Sequence, residues 1–94
     1  MKNVVVRTEN AGAFFGKLES HNGNEATLCD ARRLWYWSGA SSLSEIAMKG
    51  VSNPEECKFP CKVDRIELVG VIEVIDATEE AAKNIDEVPV WTQH

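Results

Sequence analysis

The distribution of apolar and β-branched positions divides the chain into short elements. Asn3 to Thr8 is a β-branched run that predicts a strand. Ala13 to Ser20 predicts another, with Phe14, Phe15 and Leu18 available for packing, and Glu9-Asn10-Ala11-Gly12 reads as the turn between them. His21-Asn22-Gly23-Asn24 holds the strongest turn signal, because Asn-Gly accepts the positive φ values of tight hairpins. A third strand is expected to begin near Glu25. Carried on to Trp37, its alternation places Cys29, Ala31, Arg33, Trp35 and Trp37 on one face. Leu28, Asp30, Arg32, Leu34 and Tyr36 fall on the other, so neither face is purely apolar and Arg32 and Arg33 point opposite ways.

Beyond this strand the period changes. Ser38-Gly39-Ala40-Ser41 breaks it, and Ser42-Leu43-Ser44-Glu45 has the form of a capping box, in which Ser42 and Glu45 satisfy each other's free amides. A helix of about two turns is expected, with Leu43, Ile46 and Ala47 inward and Gly50 ending it. Ser52 to Glu56 is a polar loop, and Pro60 keeps the next segment out of a central strand. Arg65 to Ala77 reads as central strands or as a bent pair at Gly70, the core of the sheet. Thr78 can cap a second helix with Ala82, Ile85 and Val88 inward, and Pro89-Val90-Trp91 pins the end of the chain with a large ring. The expected fold is α+β: a small, mostly antiparallel sheet of four to six strands with two short helices, in one domain spanning 1–94.

Charge narrows the partners. The 94 residues carry a net charge of −5, which argues against a duplex nucleic-acid binder. The charge is nevertheless uneven. Residues 1–65 hold nine of the ten Lys and Arg against eight acids, a net of +1; residues 66–94 hold only Lys83 against seven acids, a net of −6. A local cationic site is compatible with that split. The longest apolar candidate, Leu68 to Ile75, is interrupted by Glu73, so no membrane span is expected. The start of the chain lacks a signal-peptide core, and Cys29, Cys57 and Cys61 form an odd set, so reduced thiols and a cytosolic location are expected.

The segment from Ala31 to Ser42 carries the chemistry. Arg32 and Arg33 can grip phosphate, Trp35, Tyr36 and Trp37 can stack on bases, and Ser38, Ser41 and Ser42 can donate hydrogen bonds. The competing reading makes Trp35 and Trp37 core rings, with the arginines paired to Asp30 or Glu45. Cys57 and Cys61, with Cys29 and His21, contain zinc-ligand types, but the spacing is loose and no metal is assigned. No catalytic group is assigned either. His21 sits in a turn, His94 is the last residue, and Glu55-Glu56 and Glu79-Glu80 occupy a loop and a helix start. Neither a phosphate loop nor a dinucleotide fingerprint is present, so binding without a cofactor is expected rather than catalysis.

The core Ala31-Arg32-Arg33-Leu34-Trp35-Tyr36-Trp37-Ser38-Gly39-Ala40, with Ser42-Leu43 after it, resembles a family of short proteins of tailed bacteriophages. Val5-Val6-Arg7-Thr8, Ala11-Gly12, Phe15-Gly16, Val63-Asp64 and Val88-Pro89-Val90-Trp91 extend the resemblance along nearly the whole chain. A phage origin implies action in the cytoplasm of an infected bacterium, where small non-enzymatic proteins bind host factors or sequester nucleotide immune signals. With the Arg, aromatic and Ser segment, the expected function is sequestration of a cyclic nucleotide or related nucleotide. So small a chain would build such a site in a homo-oligomer, with Arg65 a candidate contributor from a second subunit. The alternatives are a protein–protein inhibitor of a host factor and a minor structural virion component.

Overall fold

The computed structural model describes residues 1–93. Five strands, β1 (Asn3–Thr8), β2 (Ala13–Asn22), β3 (Glu25–Arg33), β4 (Val63–Val69) and β5 (Val71–Asp76), form one antiparallel sheet in the order β4-β3-β2-β1-β5. Two helices, α1 (Leu43–Lys49) and α2 (Glu79–Glu87), complete a small α+β fold. A single 3₁₀ turn, Pro54–Glu56, lies between α1 and β4.

The strand order dictates a curled sheet. β4 and β5 occupy opposite edges, yet Gly70 alone connects them, so the two edges must converge there. Hydrogen bonds mark the closure: Glu9 N–H donates to the Gly70 carbonyl (2.8 Å) and Val71 N–H to the Asn24 carbonyl (2.9 Å). Gly70 takes φ 72°, a left-handed conformation that glycine adopts without strain. The expectation of central strands from Arg65 to Ala77 is therefore corrected. Both strands are edges, and they do not pair with each other at Gly70; each instead extends a different side of the β1–β2–β3 meander.

Curling gives the sheet an inner and an outer surface, each with its own core. The inner one packs Val4, Val6, Phe14, Ala26, Leu28, Ala31, Leu68 and Val71, with no helical residue among them, and makes a partly closed barrel. The outer one packs Val5, Phe15 and Leu34 against Ile46 and Ala47 of α1, Ala82 and Ile85 of α2, and Val51, Phe59 and Val88. Val4, Val5 and Val6 are all fully buried because β1 is covered on both faces. Each such side chain contributes about 1.5–3 kcal/mol.

The bend requires close strand approach at β2. A side chain on Gly16 would press against Ala31 Cα and the Cys29 carbonyl, both 3.1 Å from the Cβ position. Opposite it, Asp30 is an extra residue in β3 with φ 50°, a bulge that changes which residues face inward. Leu28 and Ala31 consequently share the inner core, contrary to the strict alternation expected from Glu25 to Trp37. The strand itself stops at Arg33.

The helix signals act locally, with one adjustment. Ser42 Oγ accepts from Glu45 N–H (3.3 Å), while the Glu45 carboxylate accepts from Ser41 N–H (2.6 Å) rather than from Ser42. Thr78 Oγ1 caps α2 by accepting from Ala81 N–H (3.0 Å) and donates to the Met48 carbonyl (2.9 Å), which ties the two helices together. Among the described residues, no helix is long and apolar enough to cross a membrane.

Candidate functional site

Residues 34–62 leave β3 and return to β4, and their two arms touch at several places, of which the Tyr36–Lys58 bridge shapes the exposed surface. Tyr36 and Lys58 exchange backbone hydrogen bonds (Lys58 N–H to Tyr36 O, 2.7 Å; Tyr36 N–H to Lys58 O, 3.3 Å). The following residue, Phe59, bridges to Val90 in the C-terminal segment, and Trp91 N–H donates to the Phe59 carbonyl (3.0 Å). Three distant pieces of chain thus converge. Their side chains form a shelf in which the Trp91 ring stands edge-on to Trp35 at 5.0 Å, and Lys58 Nζ lies 5.6 Å from the Trp91 ring and 5.8 Å from Tyr36.

The shelf is open to solvent. Trp35 is 60% exposed and Tyr36 52%, far more than aromatic rings serving only as packing. Trp37 differs: it lines a groove of about 270 Å³ with Trp35 and Tyr36, but its body packs on the outer core. On its other side Trp35 borders a second cavity, of about 440 Å³, with Asn10, Ala11, Gly12, Ala13, Arg33 and Leu34.

The two arginines have separate fates. Arg32, expected to hold phosphate, is only 2% exposed. Its guanidinium donates to the carbonyls of Pro60 (Nε, 3.0 Å), Ile85 (Nη1, 2.7 Å) and Phe59 (Nη2, 3.0 Å). Ile85 stands in the last turn of α2, where the helix dipole favours a cation. Burial pulls the Arg32 pKa below its ordinary value, and the nearby Asp86 charge opposes that shift. Arg32 is therefore a pin that ties β3 to α2 and to the returning arm, with each of its three nitrogens bonded to a backbone carbonyl. Arg33 faces outward. Its Nη1 donates to the Ala11 carbonyl (2.7 Å), and its guanidinium carbon lies 4.5 Å from the centre of the Phe14 ring.

The remaining expected ligand residues lie elsewhere. Ser38 Oγ donates to Glu56 (3.1 Å) and accepts from Asn53 (3.0 Å), and Ser38 N–H points at Cys57 Sγ (3.4 Å). Ser41 and Ser42 are occupied in the start of α1, a seven-residue helix. Arg65 stands on β4 between Glu19 (2.9 Å) and Glu67 (3.2 Å). Hydrogen bonding to Arg65 holds the Glu19 carboxyl below its usual 4.5, and the same pair raises the Arg65 pKa. Arg33, Trp35, Tyr36 and Trp37 are thus brought together, whereas Arg32, Ser38, Ser41, Ser42 and Arg65 are not part of the shelf.

Lys58 and Trp91 belong to this surface and were not singled out by residue pattern for binding. Nothing local to Lys58 marks it, since its position depends on the Tyr36 bridge. Trp91 carried a signal only as a terminal ring. Cys57 is buried in the outer core, where desolvation raises its thiol pKa, and Cys61 is exposed. Among the described residues no three His, Cys, Asp or Glu side chains gather as a metal site. His21 closes its own turn near the Gly23 carbonyl (3.0 Å), and His94 lies outside the described residues.

One family model matches residues 1–85, all five strands and most of α2. The chain belongs to the DUF6948 family, described as a domain of unknown function. No curated protein and no solved structure matches the chain. In this DUF6948 chain the matched region takes in Arg33, Trp35, Tyr36, Trp37 and Lys58, and it ends before Trp91.

Proposed function

We propose that this DUF6948 protein is a non-enzymatic binding protein that sequesters a nucleotide through the face built by Arg33, Trp35, Tyr36, Lys58 and Trp91. The observation that carries this reading is the position of Trp35. Its exposed indole borders the Arg33 cavity on one side and the aromatic groove on the other. A base can stack on the indole while Arg33 and Lys58 supply the positive charge that a phosphate seeks. The resemblance to proteins of tailed bacteriophages supports an anti-defence role in the infected cytoplasm, with a cyclic or related signalling nucleotide as the ligand. In this proposal the working form is a homo-oligomer, in which a second copy closes over cavities that stand open on one chain.

The test is a thermal-shift screen against cyclic di- and trinucleotides and ADP-ribose derivatives, with Arg33→Ala and Trp35→Ala alongside and light scattering for the oligomer. A ligand that binds only the native state raises the melting temperature. A shift lost in both variants supports the proposal; a folded protein that responds to no nucleotide refutes it.

A second reading, inhibition of a host protein, is favoured by the exposed Val90 beside these rings (56% exposed), which gives the shelf the apolar character of an interface hot spot. It predicts capture of a host protein that Trp35→Ala abolishes, with no response to nucleotide.

A further inference from the structure

Arg33 lines two cavities. One is the 440 Å³ space shared with Asn10, Ala11 and Trp35. The other, about 200 Å³, opens at the mouth of the barrel between Phe14, Ala31, Pro60, Cys61, Val63 and Ile66. The guanidinium is the divider between them. Among the described residues its one hydrogen bond goes to Ala11, a wall of the first cavity, and its carbon lies 4.5 Å from the centre of the Phe14 ring, a wall of the second. The other guanidinium N–H groups have no partner among the described residues and remain available to a ligand.

We infer that the barrel mouth is a second compartment of the same site, and that the ligand is a dinucleotide whose anionic linkage crosses Arg33. The inference rests on the nucleotide reading above and deepens it. The two compartments differ in what they can recognise. The first is lined by Asn10 beside Trp35, and an amide side chain can read the edge of a base that stacks on the indole, whereas the Ala11 backbone and the Gly12 carbonyl are already bonded to Thr8 and Arg33. The second is walled by a phenyl ring, aliphatic side chains and a proline, and shelters a ring without reading its edge. A guanidinium between two ring-sized spaces matches a phosphodiester or pyrophosphate between two ring systems. Arg32 supports the arrangement from behind: its bonds to the Phe59 and Pro60 carbonyls hold the wall of the second compartment in place.

The test uses isothermal titration of the intact chain with matched mononucleotides and dinucleotides, and a Cys61→Trp variant. Cys61 is exposed at the rim, so the larger ring fills the mouth without entering the core. The expected result is at least a tenfold preference for the dinucleotide in the parent protein. That preference is lost in Cys61→Trp, while mononucleotide affinity is kept. A maleimide-labelling arm on the parent protein adds a separate readout, with Cys61 protected by the dinucleotide and not by the mononucleotide. Equal affinities for both ligands, or a preference that survives Cys61→Trp, overturn the second compartment and leave the nucleotide reading standing. Absence of binding by any nucleotide overturns both.

Discussion

Arg32 Nη1 donates to the carbonyl of Ile85 at 2.7 Å, joining β3 to the last turn of α2 across fifty-three positions of sequence. The same guanidinium holds the Phe59 carbonyl, which also accepts from Trp91 N–H. Arg32 is thus linked by one shared acceptor to the segment that places Trp91 beside Trp35.

Arg32→Ala is expected to destabilise the protein by about 3 kcal/mol, since it removes three hydrogen bonds from a buried charged donor and leaves the Phe59 and Ile85 carbonyls with only their backbone partners, Trp91 and Val88 N–H. Arg32→Lys should recover only part of the loss, because an ammonium lacks the planar fork that reaches three separated acceptors. Urea denaturation of the two variants measures both effects. If Arg32→Ala unfolds at the parent's midpoint, the guanidinium does not pin the fold.

Gly50 and Asn84 make a second such pair. Gly50 takes φ 81° at the end of α1, and a side chain there would overlap the Asn84 amide. That amide accepts from Val51 N–H (2.8 Å) and donates to the Val51 carbonyl (2.9 Å), securing α1 to α2. Asn84→Ala should cost about 2 kcal/mol. Gly50→Ala should also be destabilising, by about 1–3 kcal/mol, through overlap and left-handed strain. The double variant should be less destabilised than the sum, because truncating Asn84 removes part of the obstruction. A double-mutant cycle in denaturant decides it, and simple additivity would show that the two positions act independently.

Two carboxylates predict the response to acid. Glu45 is held below its usual 4.5 by the Ser41 backbone amide, and Glu19 by Arg65. Both bind protons less readily folded than unfolded, so their stabilising contribution is complete above pH 4.5 and fades as pH falls below it. Glu45→Gln and Glu19→Gln should each flatten the acid limb of a melting-temperature profile relative to the parent. Because both groups are solvent-facing, the effect should be small and, for Glu19, weaker at high salt. Profiles that remain parallel to the parent's down to pH 3 would count against these pairings.

Much of the fold was legible in local sequence. The limits of β1, the Asn22-Gly23 hairpin, the Ser42 and Thr78 caps and the inward Ile46, Ala82 and Ile85 follow from short-range preferences, which act over the few residues that define them. The edge positions of β4 and β5 did not, because a run of Ile and Val reports strand preference and not neighbours in a sheet; within these two strands only Leu68 and Val71 are buried, and Val63, Val69 and Ile72 are exposed. The bulge at Asp30 also lacked a signal, and it alone moves Ala31 to the side of Leu28. Within the site, alternation separated Arg32 from Arg33 correctly but gave no indication of which side was buried. That choice depends on Phe59, Pro60 and Ile85, whose carbonyls reach Arg32 only in the folded chain.

The Trp35 ring does little for stability and much for binding in the proposed function. At 60% exposure, with the T-shaped contact to Trp91 as its one aromatic partner among the described residues, Trp35→Ala should cost about 1 kcal/mol of folding free energy. A base stacked on it contributes about 1–3 kcal/mol, so nucleotide affinity should fall roughly 5- to 150-fold. Intrinsic fluorescence can separate the rings: Trp35→Phe should remove most of the quenching that a bound nucleotide causes, and Trp91→Phe a smaller part, since Trp91 meets Trp35 by an edge. Trp37 is packed on the outer core and should report folding more than ligand. Quenching that persists undiminished in Trp35→Phe would place the ligand away from this shelf.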